Sequence, residues 1–212
     1  MRWRNGRYLW SIHDLETDTS GDSSIQTLQI VADWSQKFLV NGHPDLGRTG
    51  PVCPFTRPSI DRNLFYLACR ETEASIEDLA EEVLEYKDWH AELAVSLNEK
   101  EKQLLTILVA LPFFDPNNST ELDRLQAVLK DDFVTQGLMV GQFHPACEQP
   151  GLWNDGFRPL VAPVPLLAIR YMVPFDLPFL VGSPHHLEAY LAQFAPMIPS
   201  RVRDDLIKRL AG

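Results

Sequence analysis

The sequence predicts an α+β fold: a single domain in which a small mixed sheet of three or more strands carries helices packed on it. Three observations point there. Strand-like apolar runs alternate with segments of helical periodicity, the pattern of a layered sheet-and-helix domain. The chain has 212 residues, the length of one domain. Its 45 % hydrophobic and 23 % charged content suits a chain that buries a substantial core. Residues 1–23 are expected as an N-terminal arm and residues 24–212 as the single globular α+β domain.

Within the arm, "DTSGDSS" (18–24) is polar turn material able to cap the helix that follows. In "SIQTLQIVADWSQKFLV" the residues Ile25, Leu28, Val31, Trp34 and Phe38 recur at helical spacing, and "NGHP" ends that first helix. Residues 41–58 read as a Gly/Pro-rich loop. "RNLFYLACR" (62–70) is a strand candidate between polar turns. "EASIEDLAEEVLEYKDWHAELAV" (73–95) carries the clearest helical stripe, Ile76, Leu79, Val83, Leu84 and Trp89, with acids in its first turns. "KQLLTILVALPFF" (102–114) reads as a buried strand stopped by proline. "NNSTELDRLQAVLKDDFVTQG" (117–137) has a Ser/Thr cap, an early Glu and a closing Gly, and reads as a third helix. "LMVGQFH" (138–144) is another strand. A Pro-rich segment follows, then closing helices over 184–197 and 200–211.

The formal net charge of −10 argues against a nucleic-acid surface, which needs a basic patch to neutralise phosphates, and against anchoring to anionic lipid. The longest apolar run, residues 104–114, is shorter than the roughly 20 residues a membrane span needs. With no secretory h-region near the N-terminus, a cytoplasmic protein is expected. The three cysteines, Cys53, Cys69 and Cys147, are an odd set at wide spacing, which is neither a disulfide framework nor a zinc knuckle. The expected partner is a small molecule, with no nucleic acid and no membrane, and a homodimer is left open.

The common catalytic signatures, GxGxxG, P-loop, HExxH and GxSxG, are absent. His144 stands out because imidazole changes charge near neutral pH and is the commonest metal ligand. It ends a strand, and Pro145 holds it in extended backbone. A strand end opening into a loop is a usual place for chemistry, although a half-buried histidine bonded to a loop carbonyl has the same signature. Cys53, between prolines in "GPVCPF", is either a packed thiol or a nucleophile assisted by nearby positive charge. Arg158 and Arg170 stand in apolar segments, where a guanidinium needs an internal acid or an anionic ligand such as a carboxylate. His43 repeats the His-Pro pattern, and His185 and His186 open a helix, where capping explains them equally well.

"GPVCPF" (50–55), "GQFHP" (141–145) and "NDGFRPLVAPVPLLAIRYM" (154–172), in this order, resemble a bacterial family of unknown function that carries Cys-Pro-Phe, Phe-His-Pro and Asn…Pro-x-Pro-x-Leu…Arg motifs. More distantly, the first element is similar to that of the YqcI/YcgG-type proteins, some of which are haem-dependent enzymes oxidising nitrogen on amino-acid-like substrates. The matching positions here are Cys53, Pro54, Phe55, His144, Pro145, Asn154, Pro163, Pro165 and Arg170. The resemblance implies a haem-dependent oxidoreductase of specialised metabolism, acting on a small amino-acid-like molecule. His144 would hold the iron as its axial ligand, Phe143 would line the haem, and Arg158 or Arg170 would hold a propionate or a substrate carboxylate. The chain lacks CxxCH, so such a haem would not be covalent. Two alternatives stand beside this one: a cofactor-free enzyme in which Cys53 and His144 meet as nucleophile and base, and a non-catalytic small-molecule-binding or assembly protein.

Overall fold

Asn5 and Gly6 turn the chain back on itself at its very start. Both have positive φ, 49° and 82°, the geometry that a two-residue hairpin loop requires and that Asn-Gly supplies at least cost. The strands β1 (Arg2–Arg4) and β2 (Arg7–Ser11) pair across this turn, and β2 joins the main sheet. The segment expected as an arm is therefore part of the domain, with Leu9 fully buried in its core. The computed structural model describes residues 1–118 and 120–211; Ser119, part of the cap predicted for the third helix, and Gly212 lie outside the described residues.

Helix α1 (Ile12–Thr17) starts at a reciprocal Ser11–Asp14 capping box. Helix α2 (Ser23–Trp34) starts at Asp22, whose carboxylate accepts from the Ser24 and Ile25 amides, and continues as a π-helical turn over Ser35–Leu39. A short helix α3 (Thr56–Asp61) interrupts the stretch expected as pure loop. Strand β3 (Phe65–Cys69), helix α4 (Ile76–Ala94) and strand β4 (Thr106–Ala110) form the parallel crossover unit, with α5 (Glu99–Lys102) before β4. Helix α6 (Thr120–Thr135) leads into β5 (Leu138–Phe143). Strand β6 (Leu166–Tyr171), helix α7 (Pro184–Phe194) and helix α8 (Ser200–Ala211) complete the chain.

Among the described residues the sheet has six strands in the order β1-β2-β3-β4-β6-β5, with β3 and β4 parallel and the other pairs antiparallel. The α+β class and the mixed sheet expected from the sequence are as found. Strand β6 lies inside the segment read as merely Pro-rich and inserts between β4 and β5. Pro163 and Pro165 stop just short of it, so no ladder amide is lost.

Strand alternation divides the core between the two faces of the sheet. Leu138, Val140, Leu167 and Ile169 pack with α4 and α6. Leu67, Leu108 and Leu166 pack on the other face with α1 and α2. A third cluster joins α7 and α8 through Leu187, Tyr190, Leu191 and Leu206. No described helix is long and apolar enough to cross a membrane.

Candidate functional site

On the α2 face, β5 presents Met139, Gly141 and Phe143, and β6 presents Leu166, Ala168 and Arg170. The register pairs Gly141 with Ala168, Phe143 with Leu166, and Met139 with Arg170. Gly141, Phe143, Ala168 and Arg170 are only half-buried, although β6 is an interior strand. Strand β5 is the edge of the sheet, and the facing pair Gly141 and Ala168 adds little side chain to cover it. A Cβ added at Gly141 would meet only the Phe143 ring, at 3.9 Å, so the space immediately above it is open. The result is a hollow floored by Gly141 and Ala168.

Aromatic rings stand at one side of this hollow. Trp34 meets Phe143 edge-on with ring centres 5.8 Å apart, and stacks on Phe38 at 5.9 Å. Phe38 in turn touches Phe157, and Phe157 lies 4.8 Å from the His43 ring. Phe38 belongs to the π-helical turn, a device often found beside functional sites. Two loops close over this wall. The Val52 and Cys53 amides donate to Asn41 and Leu39 carbonyls, both at 2.8 Å. Asn154 Nδ2 donates to the Asp45 carbonyl at 2.8 Å, and Gly47, at φ 76°, lies so near Trp153 that a Cβ there would come within 2.6 Å of its carbonyl oxygen. The loop that leads into Cys53 therefore meets the Asn154 segment at Asp45 and Gly47, and Asn154 serves as the clasp. Arg158 Nη1 donates to carbonyls of its own loop, Asp155 and Phe157.

Arg170 stands at the other end of the hollow. Nη1 and Nη2 hold the Asp176 carboxylate bidentately at 2.8 and 2.6 Å, and Nη1 also donates to the Tyr171 carbonyl at 2.8 Å. Asp176 opens a 3-10 turn after β6 and also accepts from the Val173 amide. Its side chain is 3 % exposed and that of Arg170 is 28 % exposed. Burial works to lower the Arg170 pKa, but the Asp176 partner outweighs it and raises the guanidinium above its ordinary value; the nearby Cys53 side chain acts in the same sense. Cys53 itself is half-buried.

His144 lies elsewhere. It follows Phe143 in extended chain, so its ring turns to the opposite face, toward α6, where Nε2 lies 3.5 Å from Asp123 Oδ1. The residue is 2 % exposed, and Nδ1 is buried with no hydrogen-bond partner among the described residues. The cysteine sharing its turn is Cys147, whose amide donates to the His144 carbonyl. Burial raises the Cys147 thiol pKa, which keeps it protonated and inert. Arg170 stands four residues along β6 from the partner of Phe143, about 13 Å at the strand rise, and the Cys53 side chain contributes weakly to its electrostatic surroundings. The fold thus gathers Cys53, Phe143 and Arg170 on one face and sets His144 on the other. Cys53 and His144 do not meet as nucleophile and base.

The same separation bears on the haem expectation. An axial histidine must offer a ring nitrogen to open space beside the macrocycle. His144 is sealed, and Phe143 and Arg170 face away from it. Arg158 is occupied with its own loop. As placed, these residues do not fit a haem. Among the described residues no group of three or more His, Cys, Asp or Glu is arranged to hold a metal ion. His186 bonds Asp131 at 2.6 Å and His185 bonds Thr135, tying α7 to α6.

Sequence reasoning selected Cys53, Phe143 and Arg170 singly, and missed Gly141, Ala168 and Asp176. Two further clefts lie outside this region. One, about 330 Å³, is lined by Ile12, His13, Gln36 and Asn63; the other, about 410 Å³, by Arg7, Trp10, Ser24 and Arg70.

No curated protein and no solved structure matches the chain. A family model described as a domain of unknown function matches residues 28–205, a span that takes in every residue of the hollow from Trp34 to Asp176. The chain belongs to that family, DUF6875.

Proposed function

We propose that this protein binds a small organic molecule in the hollow over β5 and β6, with the apolar part of the ligand on the Gly141–Ala168 floor against Trp34, Phe38 and Phe143. One observation carries the reading: where the edge strand β5 pairs with β6, two facing residues that contribute almost no side chain leave the sheet only half-covered beside an aromatic wall. Concave, largely apolar sites with a few fixed polar groups are the usual form of small-molecule sites. Arg170 and Asp176 supply the polar end. Cys53, half-buried and held by its amide to Leu39 next to the aromatic wall, is the thiol best placed to report on or act on a bound molecule. The site accommodates an enzyme acting on an amino-acid-like molecule without haem.

Gly141→Leu tests it. Gly141 has no positive φ, and a Cβ there meets only the Phe143 ring at ordinary contact distance, so the backbone accepts a side chain, and leucine suits the strand better than glycine. A thermal-shift and calorimetric screen with the amino acids and small aromatic and aliphatic acids and amides identifies compounds that bind the wild type. Those compounds are expected to lose binding to Gly141→Leu by tenfold or more, while the variant melts no lower than the wild type. Undiminished binding to a folded Gly141→Leu rejects the hollow as the site.

A further inference from the structure

Arg170 is only partly used by the fold. A guanidinium has five N–H donors in one plane. Both Nη1 hydrogens are engaged, by Tyr171 and Asp176, and one Nη2 hydrogen is engaged by Asp176. The Nε–H and the second Nη2–H remain. They lie parallel along one edge of the fork, and neither has a partner among the described residues. The Arg170 side chain is 28 % exposed, so the group is not sealed. Asp176 occupies the end-on edge and fixes the plane of the group, so the side-on edge is held open and pre-oriented.

We propose that the ligand of the hollow carries a carboxylate, gripped side-on by the free Nε–Nη2 edge of Arg170. This inference rests on the reading of the hollow as a binding site and names the chemical class of its occupant. Two parallel N–H donors match the two oxygens of a carboxylate. A neutral amide offers one oxygen to the pair and leaves a donor unanswered, which costs affinity in a partly desolvated site. A phosphate dianion would place two further charges beside Asp176 in a chain of net charge −10. The floor and wall ask for an apolar body, so the class is a small monocarboxylic acid with an aliphatic or aromatic substituent, amino acids included.

The test uses Cys53 as reporter on the full chain. Iodoacetamide alkylates a thiol when sulfur attacks the methylene carbon: an S–C bond forms, the C–I bond breaks, iodide leaves and the thiol proton passes to buffer. Labelling of Cys53 is followed by mass spectrometry with phenylacetate or phenylacetamide present, Cys69 and Cys147 serving as internal references. Phenylacetate is expected to protect Cys53 at concentrations at least tenfold lower than phenylacetamide, a difference of about 1.4 kcal/mol. In Arg170→Lys, which keeps the charge and loses the fork, the preference is expected to fall several-fold. A second readout needs no variant: iodoacetate should label Cys53, relative to iodoacetamide, at a ratio above that of N-acetylcysteine. Equal protection by acid and amide overturns the carboxylate grip and leaves the hollow standing. No protection by either compound, with no iodoacetate preference, overturns both.

Discussion

His90 gives a prediction whose size follows from its surroundings. It lies in α4, 0 % exposed, with Nε2 at 3.1 Å from the Leu105 carbonyl and Nδ1 buried without a partner among the described residues. Its ring packs 5.0 Å from that of Tyr171. Burial lowers its pKa from 6.5 to about 4, against a smaller opposing effect of the Leu105 carbonyl. Above pH 6.5 the ring is neutral in both the folded and unfolded chain, and contributes no pH dependence. Between pH 6.5 and about 4 the unfolded chain binds a proton that the native state refuses. Stability therefore falls by about 1.4 kcal/mol per pH unit, reaching roughly 3 kcal/mol at the lower limit. The assay is urea unfolding of the wild type and His90→Leu at pH 7, 6 and 5. The variant carries a constant offset from the lost Leu105 bond. The gap between the two proteins should shift against the wild type by about 1.4 kcal/mol per unit below pH 6.5. Parallel stability curves would refute the burial argument.

Two further substitutions probe the frame of the hollow. Gly47→Ala forces a side chain into φ 76° and to within 2.6 Å of the Trp153 carbonyl; it should cost about 2 kcal/mol or more and speed alkylation of Cys53 as the two loops separate. Asp176→Asn removes the charge partner of Arg170 at a 3 % exposed position; urea unfolding should show a loss of about 3 kcal/mol, and a loss below about 0.5 kcal/mol would class the pair with exposed salt bridges.

The sequence was legible where one period dominates. The stripe of α4 and the apolar runs of β3 and β4 announce themselves because each buries one continuous set of side chains. The first hairpin was missed because its strands are short and arginine-rich; its only strong signal is the Asn5–Gly6 dipeptide, which stands in the segment taken for an arm. Strand β6 was missed because Pro163 and Pro165 precede it closely and colour the whole segment as loop.

The candidate site was harder to read for a physical reason. Cys53, Phe143 and Arg170 carry chemistry that a sequence displays. Gly141 and Ala168 act by leaving space, and an absent side chain has no signature until the strands are paired. His144 attracted attention by its chemistry, but strand parity alone places it opposite Phe143, so the two could have been separated from the sequence. The partner of Arg170, expected as an internal acid or a ligand, is Asp176 on one edge, while the other edge stays free.

The central claim is that the hollow over Gly141 and Ala168 is where a ligand sits. Amide and side-chain N–H NMR spectra of the full chain, titrated with phenylacetate, test it most directly. The account predicts the largest shifts at the Gly141 and Ala168 amides, the Trp34 indole and the Arg170 Nε–H. Shifts centred instead on Asp123 and His144, or on the cleft between Arg7 and Arg70, would contradict it.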